Sequence, residues 1–175
     1  TKICFTSSFV SSDHLEFPDP TPLTDYKLGD KAMGYLQKMT DLCKEKGVKL
    51  VLIKAPTEYP YWYEQWDEQV QQFADENDVD YINFIPLQND IGLDMSQDTY
   101  DAGLHLNTTG AEKMADYFGK YLVENYNLTD YRNDSEYASI WDKKEAAYDS
   151  MKQQQYDELN KYGELKSFGA NAIQN

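Results

Sequence analysis

Positive charge is scarce in this chain: 16 lysines and arginines stand against 31 aspartates and glutamates, a formal charge of -15 over 175 residues. Too few cations remain for a surface that tracks phosphates, which excludes nucleic-acid binding through backbone contacts. Acidity by itself implies solubility and repulsion of anionic partners. Cysteine is as sparse, with Cys4 in an apolar run and Cys43 on the inner face of a helical stretch. One disulfide and two separate buried thiols both fit that pattern, and two cysteines do not fix the redox compartment. No stretch is long and apolar enough to span a membrane. An initiator Met and a signal peptide are both missing from the start, Thr1-Lys2-Ile3-Cys4-Phe5. The chain therefore reads as a processed or truncated product, from which a targeting segment could have been lost. There is no internal repeat and no low-complexity tract, and nothing in the sequence sets the oligomeric state.

What is present supports a core. Hydrophobic residues make up 41% of the chain and aromatic residues 14%, enough for one domain and marginal for two. Residues 1–27 read as an extended arm, because Phe17-Pro18-Asp19-Pro20-Thr21-Pro22 excludes a helix and a central strand. Residues 28–126 read as an α/β domain. Met33, Leu36, Met39 and Cys43 recur at helical spacing between about Asp30 and Lys46, and Gly47 is a natural terminator. Val48 to Ala55 follows as a strand, with Leu50, Val51, Leu52 and Ile53 consecutive and apolar, as in a strand buried on both faces. Tyr61 to Asn77 is a second helix with Trp62, Trp66, Val70 and Phe73 on one stripe. Asp80 to Phe84 is the next strand. This helix and strand order argues for parallel pairing with helices on the faces.

A long loop runs from about Pro86 to Asn107, a length that is usually functional or disordered. Thr109-Gly110-Ala111-Glu112 reads as a capping box that starts a helix reaching about Asn125, with Met114, Phe118, Tyr121 and Leu122 inward. Residues 127–175 form a helical tail, its helix spanning about Ser135 to Tyr162. Ile140, Trp141, Tyr148, Met151 and Leu159 are the residues available to dock it on the body. Their spacing does not sustain a heptad.

Histidine is the other rare residue, present only as His14 and His105. His14 sits beside Asp13 in the arm and reads as a solvated loop histidine. His105 lies in Tyr100-Asp101-Ala102-Gly103-Leu104-His105-Leu106-Asn107, a glycine-containing loop directly before a helix. A carboxylate near an imidazole holds a general base in one tautomer. Capping the helix or satisfying a buried carbonyl is the structural alternative for His105. Asp13, His14, Asp101 and His105 are of metal-ligating types, but no local ligand spacing supports a metal site. Tyr59 and Trp62 follow the C-terminal end of a predicted parallel strand, where ligands bind in open sheets. Packing against the sheet accounts for them equally well. Lys54 interrupts the apolar strand near its end, where it either emerges into solvent or pairs with an acid such as Glu58 or Asp101. Asn107, Asn127 and Asn133 each open an Asn-x-Ser/Thr triplet.

The stretches Val51-Leu52-Ile53-Lys54-Ala55-Pro56-Thr57, Asp80-Tyr81-Ile82-Asn83-Phe84 and Asp101 through Gly110 carry a family likeness. From Leu50 to Leu122 the chain resembles the C-terminal part of the SGNH/GDSL hydrolase superfamily. It looks most like an extracytoplasmic branch that includes cell-surface polysaccharide O-acetyltransferase-like proteins. The resemblance implies a three-layer, flavodoxin-like α/β fold. It implies a Ser-His-Asp mechanism on an acylated carbohydrate or cell-envelope polymer, an extracytoplasmic location, and no metal or organic cofactor. It makes His105 the base and Asp101 its orienting acid. Thr57, Tyr59, Trp62 and Asn107 are the candidate substrate-side residues.

The chain departs from the family pattern in two ways. Three residues, Ala102-Gly103-Leu104, separate the acid from the histidine where two are usual. Gly103 can absorb the extra residue at positive φ, and Asp98 or Asp94 are substitutes for the acid. The Gly-Asp-Ser-like nucleophile turn and the Gly-x-Asn-Asp block are both missing. Ser7, with Ser8 beside it, is the local candidate nucleophile, at the end of a strand-like run but followed by prolines instead of a helix. The alternative reading is a non-catalytic module that keeps the scaffold, lacks the nucleophile, and holds a glycan or protein on its Tyr/Trp-rich surface.

Overall fold

The computed structural model describes residues 17–163 and 165–167. Cys4, Ser7, Ser8, Asp13 and His14 lie outside the described residues. The order of elements is helix α1 (Asp30–Lys46), strand β1 (Val51–Lys54), helix α2 (Glu64–Asn77), strand β2 (Asp80–Asn83), the single turn α3 (Gln88–Ile91), helix α4 (Thr108–Asn125) and helix α5 (Ser135–Tyr162).

Each helix ends where its sequence withdraws support. Helix α1 has Asp30 in its first turn and Lys44 and Lys46 in its last, matching the helix dipole, and stops at Gly47 in the left-handed region (φ 64°). Thr40, Met33, Leu36 and Cys43 face inward to differing degrees, whereas Met39 faces out. The expected inner stripe therefore holds except at Met39. Cys43 carries a free thiol. Helix α2 begins at Glu64, not at Tyr61, because the chain bends at Pro60 and residues 61–63 stay irregular, with extended Tyr63 serving as N-cap. Trp62 thus lies before the helix. Asp78 closes α2 in a left-handed conformation (φ 53°).

Strands β1 and β2 pair in parallel, with Val51 opposite Asp80 and Lys54 opposite Asn83. Both strands finish at the same level, and Phe84 N donates to Lys54 O one step further on (3.0 Å). The chain is a mixed α/β structure whose described sheet has two strands. The core forms where β2 meets the following loop and α4. Phe84, Ile91, Leu93 and Met95 are buried there, with Ile82, Leu87, Leu106, Met114, Tyr117 and Phe118 packed on them. Met95, Ile91 and Leu93 tie the 88–107 segment into the core, so this loop is anchored along most of its length.

Helix α5 runs from an Asp134 cap, whose carboxylate accepts from Glu136 N and Tyr137 N, to Gly163. It meets α4 through polar contacts: Glu112 Oε1 accepts from Tyr148 OH (2.8 Å) and Lys152 Nζ (2.6 Å). Ile140 and Trp141, expected to dock the tail, are exposed, while Tyr148, Met151 and Leu159 are partly buried. Among the described residues no helix is long and apolar enough to cross a membrane.

Candidate functional site

Two loops meet above the level ends of the strands: residues 55–59 after β1, and residues 94–107 before α4. They are joined by main chain. Glu58 N donates to Gly103 O (2.8 Å), and Thr57 Oγ1 donates to Leu104 O (3.1 Å) while accepting from Tyr59 N (3.1 Å). Gln88 Nε2 fixes the other side of Thr57 through its carbonyl (3.2 Å).

The 94–107 loop is a braced hairpin. Thr99 and Leu106 form an antiparallel bridge, Tyr100 N donates to His105 O (3.2 Å), and Asn107 N donates to Asp98 O (2.8 Å). Buried Thr99 holds the turn from within, its hydroxyl donating to Met95 O (2.6 Å) and accepting from Gly103 N (2.8 Å). The reversal is made by two successive left-handed residues, Ala102 (φ 62°) and Gly103 (φ 95°). Gly103 is needed there, since L side chains rarely adopt that backbone. The three residues between Asp101 and His105 are accommodated by this pair, not by Gly103 alone.

The turn brings the acid to the imidazole. Asp101 Oδ2 lies 2.5 Å from His105 Nδ1, and Asp101 Oδ1 accepts from His105 N (2.7 Å). An ionised carboxylate only accepts, so Nδ1 carries the proton and the neutral ring presents its lone pair at Nε2. Tyr100 stacks on the ring at 5.8 Å with planes 16° apart. The His105 side chain is 67% exposed and that of Asp101 29%. An open cleft of about 360 Å³ lies against the ring, lined by Lys54, Ala55, Pro56, Thr57, Tyr59, Leu104 and His105.

The other acids considered for the role of Asp101 are engaged elsewhere. Asp98, nearly fully buried, pairs with Lys113 Nζ (2.6 Å) and accepts from Asp94 N (2.8 Å). Asp94 accepts from Ser96. Among the described residues no third His, Cys, Asp or Glu joins Asp101 and His105 in a metal-binding group.

Two expected substrate-side residues are displaced. Asn107 is 2% exposed and caps α4: its carbonyl accepts from Gly110 N (3.1 Å) and Thr109 Oγ1 (2.7 Å), and its amide donates to Gln97 O (2.6 Å). The helix cap is therefore Asn107, not Thr109, and Asn107 does not reach the cleft. Both residue types are good caps, and the sequence places them two positions apart. Glu112, the presumed partner in the capping box, reaches α5 instead. Trp62 is not among the lining residues. Its indole donates to Asp67 Oδ1 (3.0 Å), and its ring packs on Trp66 and lies under Lys54. Thr57 and Tyr59 do line the cleft, Thr57 with its hydroxyl engaged and Tyr59 half exposed.

Asp67 escaped the sequence reading. Its Oδ1 accepts from Trp62, Tyr81 OH (2.5 Å) and Asn83 Nδ2 (2.9 Å), tying α2 to β2. Burial pushes its carboxyl upward, yet these donors outweigh burial and hold it below its ordinary value. Burial raises the Tyr81 hydroxyl, and the Asp67 charge adds to that rise. An aspartate in a polar helical segment gives no signal of this kind. Lys54, by contrast, was visible as a break in an apolar strand. Its ammonium loses affinity for its proton through desolvation and sits 5.1 Å from the Trp62 ring centroid.

No family model, curated protein or solved structure matches this chain.

Proposed function

We propose that the chain carries the imidazole and acid of an SGNH-type esterase or O-acyltransferase acting on an acylated carbohydrate or cell-envelope polymer. The observation that carries the reading is the His105 imidazole on one wall of an open cleft, with its Nδ1 occupied by the Asp101 carboxylate. A serine attacks the ester carbonyl while His105 Nε2 accepts its proton, then returns it to the leaving alcohol. Asp101 fixes the tautomer and stabilises the imidazolium that forms. Tyr59 flanks the sugar or acyl group. Nothing in this scheme requires a metal or organic cofactor.

The same reading makes residues 28–126 part of a three-layer, flavodoxin-like domain, to which the parallel β1–β2 pair contributes. Residues 1–27 are then an arm and 127–175 a helical appendage, and the site of action is extracytoplasmic.

A second reading, a glycan- or protein-binding module on the same scaffold, is favoured by one observation: the described residues that line the cleft include no serine. A fluorophosphonate probe separates the two. Covalent labelling of a serine, abolished by His105→Ala, supports the esterase. Absence of label, with glycan binding that survives His105→Ala, overturns it in favour of the module.

A further inference from the structure

Lys54 is the last residue of β1, and its side chain shares the cleft with His105. Acids outnumber bases about two to one in this chain. Lys27, Lys46, Lys49, Lys113, Lys120 and Lys152 each have a carboxylate within 4.0 Å. Among the described residues Lys54 has none; the same holds for exposed Lys31, Lys38, Lys44, Lys143, Lys144 and Lys161, but Lys54 differs from them in that its surroundings partly remove it from water. Asp101, the acid beyond the imidazole, already gives both oxygens to His105. The Trp62 face steadies the ammonium without neutralising it. A partly desolvated cation with no counterion is costly unless something completes it. The cleft beside it is at the lower end of the roughly 300–1,000 Å³ range of small-molecule sites.

We propose that Lys54 is a specificity contact for an oxyanion on the bound molecule, so that the cleft takes an anionic unit, a sugar carboxylate or a phosphate ester, in preference to a neutral one. The placement of an ester at His105 rests on the function proposed above. The anion contact itself does not. The negative net charge of the chain opposes anions at a distance, but that field is screened beyond about 8–10 Å at physiological salt. Contact at Lys54 is local and charge-assisted.

Backbone amide NMR of the whole chain, titrated with glucuronate, methyl phosphate and glucose, tests the proposal without requiring activity. Glucuronate, methyl phosphate or both are expected to shift the amides of residues 54–59 and 104–105. Glucose is expected to leave them in place. Which anion binds more tightly identifies carboxylate or phosphate as the source. Lys54→Met should weaken binding at least about tenfold, the scale of one charge-assisted contact. Lys54→Arg should retain it, which ties recognition to the positive charge. Equal shifts with glucose, no shift with either anion, or unchanged affinity in Lys54→Met would each overturn the proposal. Failure of fluorophosphonate labelling would sink the esterase reading and leave this result standing.

Discussion

Lys113 Nζ, one turn into α4, lies 2.6 Å from Oδ2 of Asp98, a carboxylate whose side chain is only 3% exposed. The same oxygen accepts from Asp94 N, and the Asp98 carbonyl accepts from Asn107 N. One residue thus fixes both ends of the hairpin that carries the imidazole and binds it to the helix behind. Removing the carboxylate leaves a main-chain donor and an ammonium without their partner. Asp98→Ala is expected to cost about 2–3 kcal/mol, lowering Tm by roughly 5–10 °C in a chain of this size. Thermal unfolding followed by circular dichroism checks this.

Gly110 and Gly119 occupy the same helix but should respond oppositely to alanine. A Cβ on Gly110 would stand 2.3 Å from the Asp98 carbonyl oxygen, which is main chain and cannot swing aside. Gly110→Ala must push α4 off the hairpin, at an expected cost of about 1–3 kcal/mol. A Cβ on Gly119 meets nothing within 4 Å. Gly119→Ala should stabilise by about 0.5–1 kcal/mol, the ordinary helical preference for alanine. Urea unfolding of the two variants gives the signs directly.

Asp101 accepts two hydrogen bonds from His105, one on each oxygen. In Asp101→Asn one of those oxygens becomes a donor, so either the ring or the main-chain amide loses its acceptor. The wild-type imidazole is expected to show the Nδ1–H tautomer when neutral, by ¹⁵N NMR of the ring. Asp101→Asn should give a mixture of tautomers, and fluorophosphonate labelling, where present, should fall with it. A wild-type ring protonated at Nε2 would contradict the assignment.

The docking of α5 should depend on pH at both ends of the scale. Burial pushes the Glu112 carboxyl upward, but Lys152 and Tyr148 together hold it below its ordinary value of 4.5. Its contribution is therefore present above pH 4.5 and lost as pH falls through the lower folded value. Burial, and then Glu112, push the Tyr148 hydroxyl up to about 12 from an ordinary 10. That contribution is full below pH 10 and declines as pH rises toward 12. Limited proteolysis in the 127–134 connection should accelerate outside this window, and Glu112→Gln should accelerate it at neutral pH.

Much of the framework could be read from residue order alone. Helix α1 closed at Gly47, α5 spanned Ser135 to Tyr162, and the two short strands paired in parallel as their alternation with helices implied. These features rest on local chemistry: a left-handed terminator, an Asp cap and apolar runs. The Asp101–His105 pairing was also legible, because the two residues share one short loop. What escaped depends on contacts distant in sequence or on choices between equal local signals. Asn107 and Thr109 are both competent caps, and the partners of Asn107 at Gln97 and Thr99 decide between them. Tail docking through Glu112, 36 residues from Tyr148, is invisible to a search for apolar stripes. The one-turn α3 is too short to announce itself by periodicity.

The main-chain bond from Glu58 to Gly103 has a mechanical meaning. Tyr59, which lines the cleft, is the next residue along from one end of that tether. The turn that seats the imidazole is the other end. On the proposed function, a molecule that levers Tyr59 outward tugs on the turn that carries His105, so occupancy of the cleft and alignment of that imidazole become one motion instead of two.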